Sequence, residues 1–188
     1  MCGGRGTRLS LGTEKPLLSI CGRAMVDRVL DALTDSDVER TVAAVSPNAP
    51  RTADHVRERV PTVETPGEGY VADLTHALDA GAVTRPALTV VADLPLLDGP
   101  TVDAVLAEYR ERAMTGECAL VVCVPLALKE RLGVSADTTF ERGGRALAPT
   151  GLNVVADAED TIVTRDTYRL AVNVNRPRDT RVAEALCD

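Results

Sequence analysis

Apolar residues recur along this chain in two rhythms. Short β-branched runs at Thr41 to Val45, Ala87 to Ala92, Cys118 to Val124, Leu152 to Val155 and Leu170 to Val174 predict strands. Between them Met25, Val26, Val29, Leu30 and Leu33 share one helical face, as do Val71, Leu74 and Leu78, and Val102, Val105, Leu106 and Tyr109. A last helix is expected from Pro177, a residue suited to a first helical turn, to the C-terminus. Strands alternating with helices predict an α/β fold in which helices cover a parallel sheet. The charged clusters Arg57-Glu58-Arg59 and Tyr109-Arg110-Glu111-Arg112 read as solvated helix faces, and Gly143-Gly144 within Glu141 to Arg145 reads as a hairpin or mobile loop.

With 188 residues, 45% of them hydrophobic, and neither an internal repeat nor a low-complexity linker, one domain over residues 1–188 is expected. The formal net charge of -7 argues against nucleic acid or an anionic membrane surface as a partner, so any basic site has to be local. No apolar run is long enough to span a membrane and no secretory leader is recognisable, which makes a cytoplasmic protein the simplest expectation. Lys15 and Lys129 are the only lysines among 21 basic residues, a bias that fits salt adaptation or codon usage in a GC-rich genome. Five cysteines, Cys2, Cys21, Cys118, Cys123 and Cys187, form no C-x-x-C pair, so neither a zinc site nor a disulfide framework is expected. Cys118 and Cys123 flank an apolar run and read as buried thiols acting as small hydrophobes.

The chemistry concentrates at the start. Gly3, Gly4, Arg5, Gly6, Thr7 and Arg8, followed by Glu14-Lys15-Pro16-Leu17, let backbone N–H groups converge on an anion while Arg8 and Lys15 supply charge. A dinucleotide fingerprint is excluded because Leu9 stands where its third glycine belongs, and a Walker loop because Pro16 follows Lys15. A compact ammonium at Lys15, in a chain that otherwise uses arginine, adds weight to a phosphate-binding role. Val90-Val91-Ala92-Asp93-Leu94-Pro95 then places Asp93 at the carboxyl end of a strand, where open α/β sheets bind ligands.

G-G-x-G-T-R with a downstream E-K-P-L resembles the opening of the nucleotidyltransferase superfamily. That resemblance implies a single-domain, Rossmann-like nucleotidyltransferase fold with a mostly parallel sheet and helices on both faces. It gives Arg8, Lys15 and Asp93 the catalytic roles, with Mg2+ on Asp93 as the cofactor. A second metal ligand is expected in Leu170-Ala-Val-Asn173-Val-Asn175, with Asn173 chosen and Asn175 as its rival; strand alternation puts both on one face. In the superfamily an apolar strand precedes the glycine loop, whereas here only Met1 and Cys2 do. A first strand missing from this chain, through a late start site or truncation, is therefore expected.

Ser46-Pro47-Asn48-Ala49-Pro50, Gly67-Glu68-Gly69-Tyr70, Pro149-Thr150-Gly151-Leu152-Asn153 and Leu18-x-x-Cys21-Gly22-Arg23 narrow the resemblance to the archaeal GTP:adenosylcobinamide-phosphate guanylyltransferases of cobalamin biosynthesis. The resemblance covers nearly the whole chain. It implies GTP bound by Gly3 to Arg8, Lys15, Pro47, Asn48, Gly67, Gly69, Tyr70 and Asp93. Gly151 and Asn153 are then expected at the second substrate, adenosylcobinamide phosphate, and a homodimer stays open. Aromatic residues make up 2% of the chain, too few to stack along a macrocycle, so the second substrate would be held mainly by its phosphate and nucleotide loop. The alternatives are a guanylyltransferase for the molybdenum cofactor or for phospholactate, and a GTP-binding module without catalysis.

Overall fold

The computed structural model describes residues 1–2, 12–114, 116 and 119–187. In chain order its strands are β1 (Ser19–Ile20), β2 (Arg23–Ala24), β3 (Ala43–Val45), β4 (Thr62–Glu64), β5 (Ala87–Val90), β6 (Ala119–Pro125), β7 (Phe140–Arg142), β8 (Arg145–Val155) and β9 (Asp160–Thr164). The α-helices are α1 (Met25–Thr34), α2 (Pro50–Arg57), α3 (Tyr70–Asp79), α4 (Gly99–Ala113), α5 (Leu126–Leu132), α6 (Tyr168–Ala171) and α7 (Pro177–Ala185). The expected α/β alternation is present, and the sheet is mixed. Its order is β5-β8-β6-β9 with β7 on β8; β8 runs antiparallel to β5 and β6, while β6 and β9 are parallel. A separate parallel pair joins β3 to β4.

Helix α1 serves three packing regions, and its apolar spacing explains how. Val29 and Leu33 enter the main core with Val102 and Val105 of α4 and Leu120, Val122, Leu152 and Val154 of the sheet. Val26 and Leu30 pack on Val45 and Val56, and Met25 joins Ile20, Leu96, Val172 and Val174. Each large side chain so buried contributes about 1.5–3 kcal/mol. Helix α4 starts where the Asp98 carboxylate accepts from Thr101 N at 3.0 Å, with proline in its first turn.

Met1 and Cys2 bridge β5 of the mixed sheet and β3 of the parallel pair. The Met1 ammonium donates to Val90 O at 2.8 Å, Ala92 N donates to Met1 O at 3.2 Å, and Cys2 N donates to Ala44 O at 2.9 Å. A cleft of about 490 Å³ beside them is lined by Val26, Leu30, Ala43, Leu88 and Val90, among others.

Gly143 and Gly144, at φ +56° and +73°, make the tight turn of the β7–β8 hairpin, the first of the two alternatives read from the sequence. Cys123 is a buried thiol whose burial pushes its pKa up to about 11, while Cys118 lies outside the described residues.

Two expectations fail. Leu170 to Val174 is not a strand: Thr167 caps the short α6, and the chain then leaves the helix so that Val174 N reaches Asp93 O at 3.0 Å. Apolar alternation over five residues does not distinguish these outcomes. Against the expectation of no disulfide framework, Cys21 and Cys187 form a disulfide between the β1–β2 turn and the chain after α7. Their separation of 166 residues leaves no local spacing signal.

Candidate active site

Three segments converge on the Lys15 ammonium. It donates to Asp93 Oδ2 at 2.5 Å and to Asn175 Oδ1 at 2.6 Å, with Lys15 and Asp93 side chains 16% and 19% exposed. Asp93 follows β5, and Asn175 precedes α7. Asn175 is fixed by the fully buried Asp179, whose Oδ2 accepts from the backbone N–H groups of Asn175 and Arg176 and whose two oxygens also hold Ser135. A shared cation position is thereby set by one carboxylate and one amide oxygen, and a lysine stands in it.

The E-K-P-L run builds the arm that carries Lys15. Glu14 reaches the open N-terminus of α2, where its oxygens accept from Arg51 N at 2.9 Å, Thr52 N at 2.6 Å and Thr52 Oγ1 at 2.6 Å. Burial works against the charged form, but these hydrogen bonds and the Arg51 charge outweigh it and lower the Glu14 pKa. Pro16 is buried in the 3-10 turn Lys15–Leu17 that ends the arm. The motif therefore anchors with its glutamate and presents its lysine.

Behind Asp93 lies a second layer. Asn173 Nδ2 donates to Asp93 Oδ1 at 3.0 Å and to Thr150 O at 2.9 Å, while Asn173 Oδ1 accepts from Lys129 Nζ at 3.0 Å. Lys129 is 3% exposed and also donates to Ala171 O at 2.7 Å. An ammonium has no acceptor, so the amide oxygen must face it. The Asn173 oxygen is thus committed away from the Lys15 position, and the amide oxygen facing that position belongs to Asn175, the rival in the sequence reading.

A cavity of about 550 Å³ opens beside Asp93 and is lined by Tyr70, Lys129, Gly151, Asn153, Asn173 and Asn175, among others. Strand β8 bulges into its wall: Val121 pairs with Asn153 and Cys123 with Pro149, so Val122 faces Thr150 to Leu152. The Thr150 hydroxyl repairs the ladder, donating to Val122 O at 2.9 Å and accepting from Leu152 N at 3.1 Å. Gly151 has φ +83° there, and its carbonyl accepts from Val91 N at 3.1 Å. Tyr70 Oη shares a 2.6 Å hydrogen bond with Thr89 Oγ1 and accepts from Asn153 Nδ2 at 3.3 Å. The buried Asn153 Oδ1 has no partner, an acceptor available to a ligand donor.

Pro47, Asn48, Gly67 and Gly69 form a second group in the loops after β3 and β4. Asn48 Nδ2 donates to Gly67 O at 2.8 Å, and Gly67 N donates to the buried Asp73 at 2.7 Å. Gly67 has φ +74°, and a Cβ there would stand 2.5 Å from Asn48 Nδ2. Tyr70, expected with this group at the nucleotide, instead joins Gly151 and Asn153 around the cavity. Gly3, Gly4, Arg5, Gly6, Thr7 and Arg8 lie outside the described residues.

Sequence reasoning assigned no role to Lys129, Thr150 or Asp179, and used Glu14 only as part of a motif. Lys129 alone carried a signal, as the other lysine in an arginine-rich chain. No group of three His, Cys, Asp or Glu among the described residues forms a metal cluster, and no described helix is long and apolar enough to cross a membrane.

A glycine-rich opening sequence, a lysine arm and an aspartate after β5 on an α/β fold are the features that the nucleotidyltransferase resemblance singles out, and the fold brings the last two together. The chain belongs to the MobA-like NTP transferase domain family, whose match runs over residues 1–161. Over 198 residues it is 32% identical to an adenosylcobinamide-phosphate guanylyltransferase of Methanocaldococcus jannaschii, covering 99% of this chain and 94% of that protein. The bifunctional protein GlmU of Streptomyces coelicolor is 33% identical over 115 residues, which are 58% of this chain and 24% of GlmU. A solved structure of CMP:2-keto-3-deoxy-manno-octonic acid synthetase complexed with CTP superposes with TM-score 0.67 at 15% identity, covering 96% of this chain and 92% of that one. A hypothetical transferase from Thermus thermophilus gives TM-score 0.54 at 21% identity over 77% of this chain and 58% of its own. These two likenesses concern the fold alone.

Proposed function

We propose that this nucleotidyltransferase moves GMP from GTP to adenosylcobinamide phosphate, giving adenosylcobinamide-GDP and pyrophosphate in cobalamin biosynthesis. The observation that carries this reading is the likeness to the Methanocaldococcus jannaschii guanylyltransferase over 99% of the chain. The acceptor is a phosphate monoester with a second pKa of about 6, so it is already anionic at neutral pH and no general base is required. An acceptor oxygen bonds to the α-phosphorus of GTP as the bond to the β-phosphate bridging oxygen breaks, and that electron pair leaves with pyrophosphate.

The chain's own residues position and neutralise. Gly3 to Arg8 cradle the triphosphate, and Lys15 turns from Asp93 and Asn175 toward the departing pyrophosphate. The cavity of Tyr70, Gly151 and Asn153 receives the acceptor substrate, a donor of which can meet the free Asn153 Oδ1 while its anionic phosphate lies toward the cation position at Asp93 and Asn175. Asp93 and Asn175, whose oxygens face one cation position, fit a hard divalent ion. Mg2+ held there supplies charge neutralisation at the α-phosphate. The loops of Pro47, Asn48, Gly67 and Gly69 contact the guanosine.

The test is pyrophosphate release from GTP and Mg2+ with a panel of acceptors. Release with adenosylcobinamide phosphate is expected. Release only with a molybdenum-cofactor or phospholactate acceptor reassigns the substrate, and GTP binding without turnover on any acceptor refutes the enzyme reading.

A further inference from the structure

Lys129 is the feature that the reaction outlined above leaves unused. It is 3% exposed, and burial lowers its pKa against the opposing charges of Asp93, Asp179 and Asp137. Taking an ammonium out of water costs several kcal/mol, so its retention beside the site calls for a compensating arrangement. That arrangement is directional. Lys129 Nζ donates to Asn173 Oδ1 at 3.0 Å and to Ala171 O at 2.7 Å, and the Asn173 amide passes the polarity on by donating to Asp93 Oδ1 at 3.0 Å and Thr150 O at 2.9 Å. A rotated Asn173 amide would set its NH2 against the ammonium and its oxygen against the carboxylate, two repulsions at once. Asp93 Oδ1 is therefore occupied from behind, and Oδ2 is the oxygen turned to the Lys15 cation position.

We infer that Lys129 is a positioning residue of this site: acting through Asn173, it holds the Asp93 carboxylate so that one chosen oxygen faces the cation and the phosphates. This rests on the proposed guanylyltransferase reading for its consequence in turnover, but not for the geometry itself.

Because the chain has two lysines, a spectrum of the full chain labelled with 15N-lysine contains two ammonium signals. The Lys129 ammonium and the Asn173 side-chain amide should both exchange slowly with water and show a mutual cross-relaxation contact. In Lys129→Met the Asn173 amide should lose that protection. Turnover of Lys129→Met should fall about 10- to 100-fold, the range for residues that orient a ligand-bearing side chain, with the KM for GTP within about twofold. Lys129→Met added to Asn173→Ala should lower turnover no further, since the path already lacks its link.

A lysine that only pins Ala171 would leave the Asn173 amide protected in Lys129→Met, and additive losses in the double variant would likewise overturn the inference. If Lys129→Met does not fold, the unmodified protein still decides, because a fast-exchanging Lys129 signal without contact to Asn173 refutes it. These spectra need no acceptor. A protein that shows them but transfers no GMP would overturn the proposed reaction and leave the geometry standing.

Discussion

Gly151→Ala tests how the fold aims Asp93. Gly151 has φ +83°, a conformation that costs an L-residue about 1–2 kcal/mol. A Cβ at this position would stand 2.5 Å from Val91 Cγ2 and 3.0 Å from Val91 Cγ1. Ordinary carbon contacts are about 3.5–4.0 Å, so Val91 or the bulge has to yield by about 1 Å, at the usual overpacking cost of about 1–3 kcal/mol. Together these terms predict a destabilisation of about 2–5 kcal/mol, or about 4–20 °C in melting temperature for a chain of this size. Val91 is hydrogen-bonded to Gly151 O and lies two residues before Asp93, so the displacement also reaches the carboxylate. Turnover of the folded variant should fall about 10²-fold, the effect of a misplacement near 1 Å. Urea unfolding and initial rates below the melting transition measure both. A loss under about 1 kcal/mol with unchanged turnover would refute the argument that the β8 bulge needs glycine and positions Asp93.

Asp93→Asn and Asn175→Ala should each lower turnover at least about 10²-fold while melting within a few degrees of the parent; normal turnover in either would remove that residue from the site. Glu14→Gln should cost about 1–2 kcal/mol by weakening the cap on α2. Its pKa is lowered on folding from the ordinary value of 4.5, so the contribution is complete above that value and lost as pH falls through the folded pKa. Unfolding from pH 7 down to pH 3 should therefore show parent and variant converging in acid, and a constant gap would exclude the Glu14 carboxylate as its source. The Cys21–Cys187 bond leaves three of five cysteines to react with a thiol reagent in denatured, unreduced protein; five would deny the bond. In the chain-entropy account, closing so long a loop stabilises by up to about 5 kcal/mol. Reductant should accordingly lower the melting temperature of the parent but not of Cys187→Ser.

The local layer was legible in the sequence. Apolar spacing located α1 and α4 and the strands β3, β5, β6 and β8, because burial of one face fixes a period of 3.6 or 2 whatever the partner; Pro177 marked the start of α7, and α3 forms although Val71 of its apolar stripe is exposed. Gly143-Gly144 disclosed its hairpin because a two-residue turn with positive φ selects glycine. Lys15 and Asp93 were singled out by motif and by strand-end position, and the fold brings them into contact. What lay at a distance was not legible. Leu170 to Val174 lost its strand because its backbone partner is the Asp93 turn. Cys21 found Cys187 because α7 returns beside the β1–β2 turn. Asn173 and Asn175 are two residues apart and chemically identical, and only the neighbours supplied by the fold separate them. A buried ammonium takes the oxygen of one, and the Lys15 arm, held in place by a glutamate on another helix's N-terminus, takes the oxygen of the other. Sequence fixes which groups are available; which atom of each faces the substrate depends on charges and donors brought from far along the chain, and these meet only in the folded molecule.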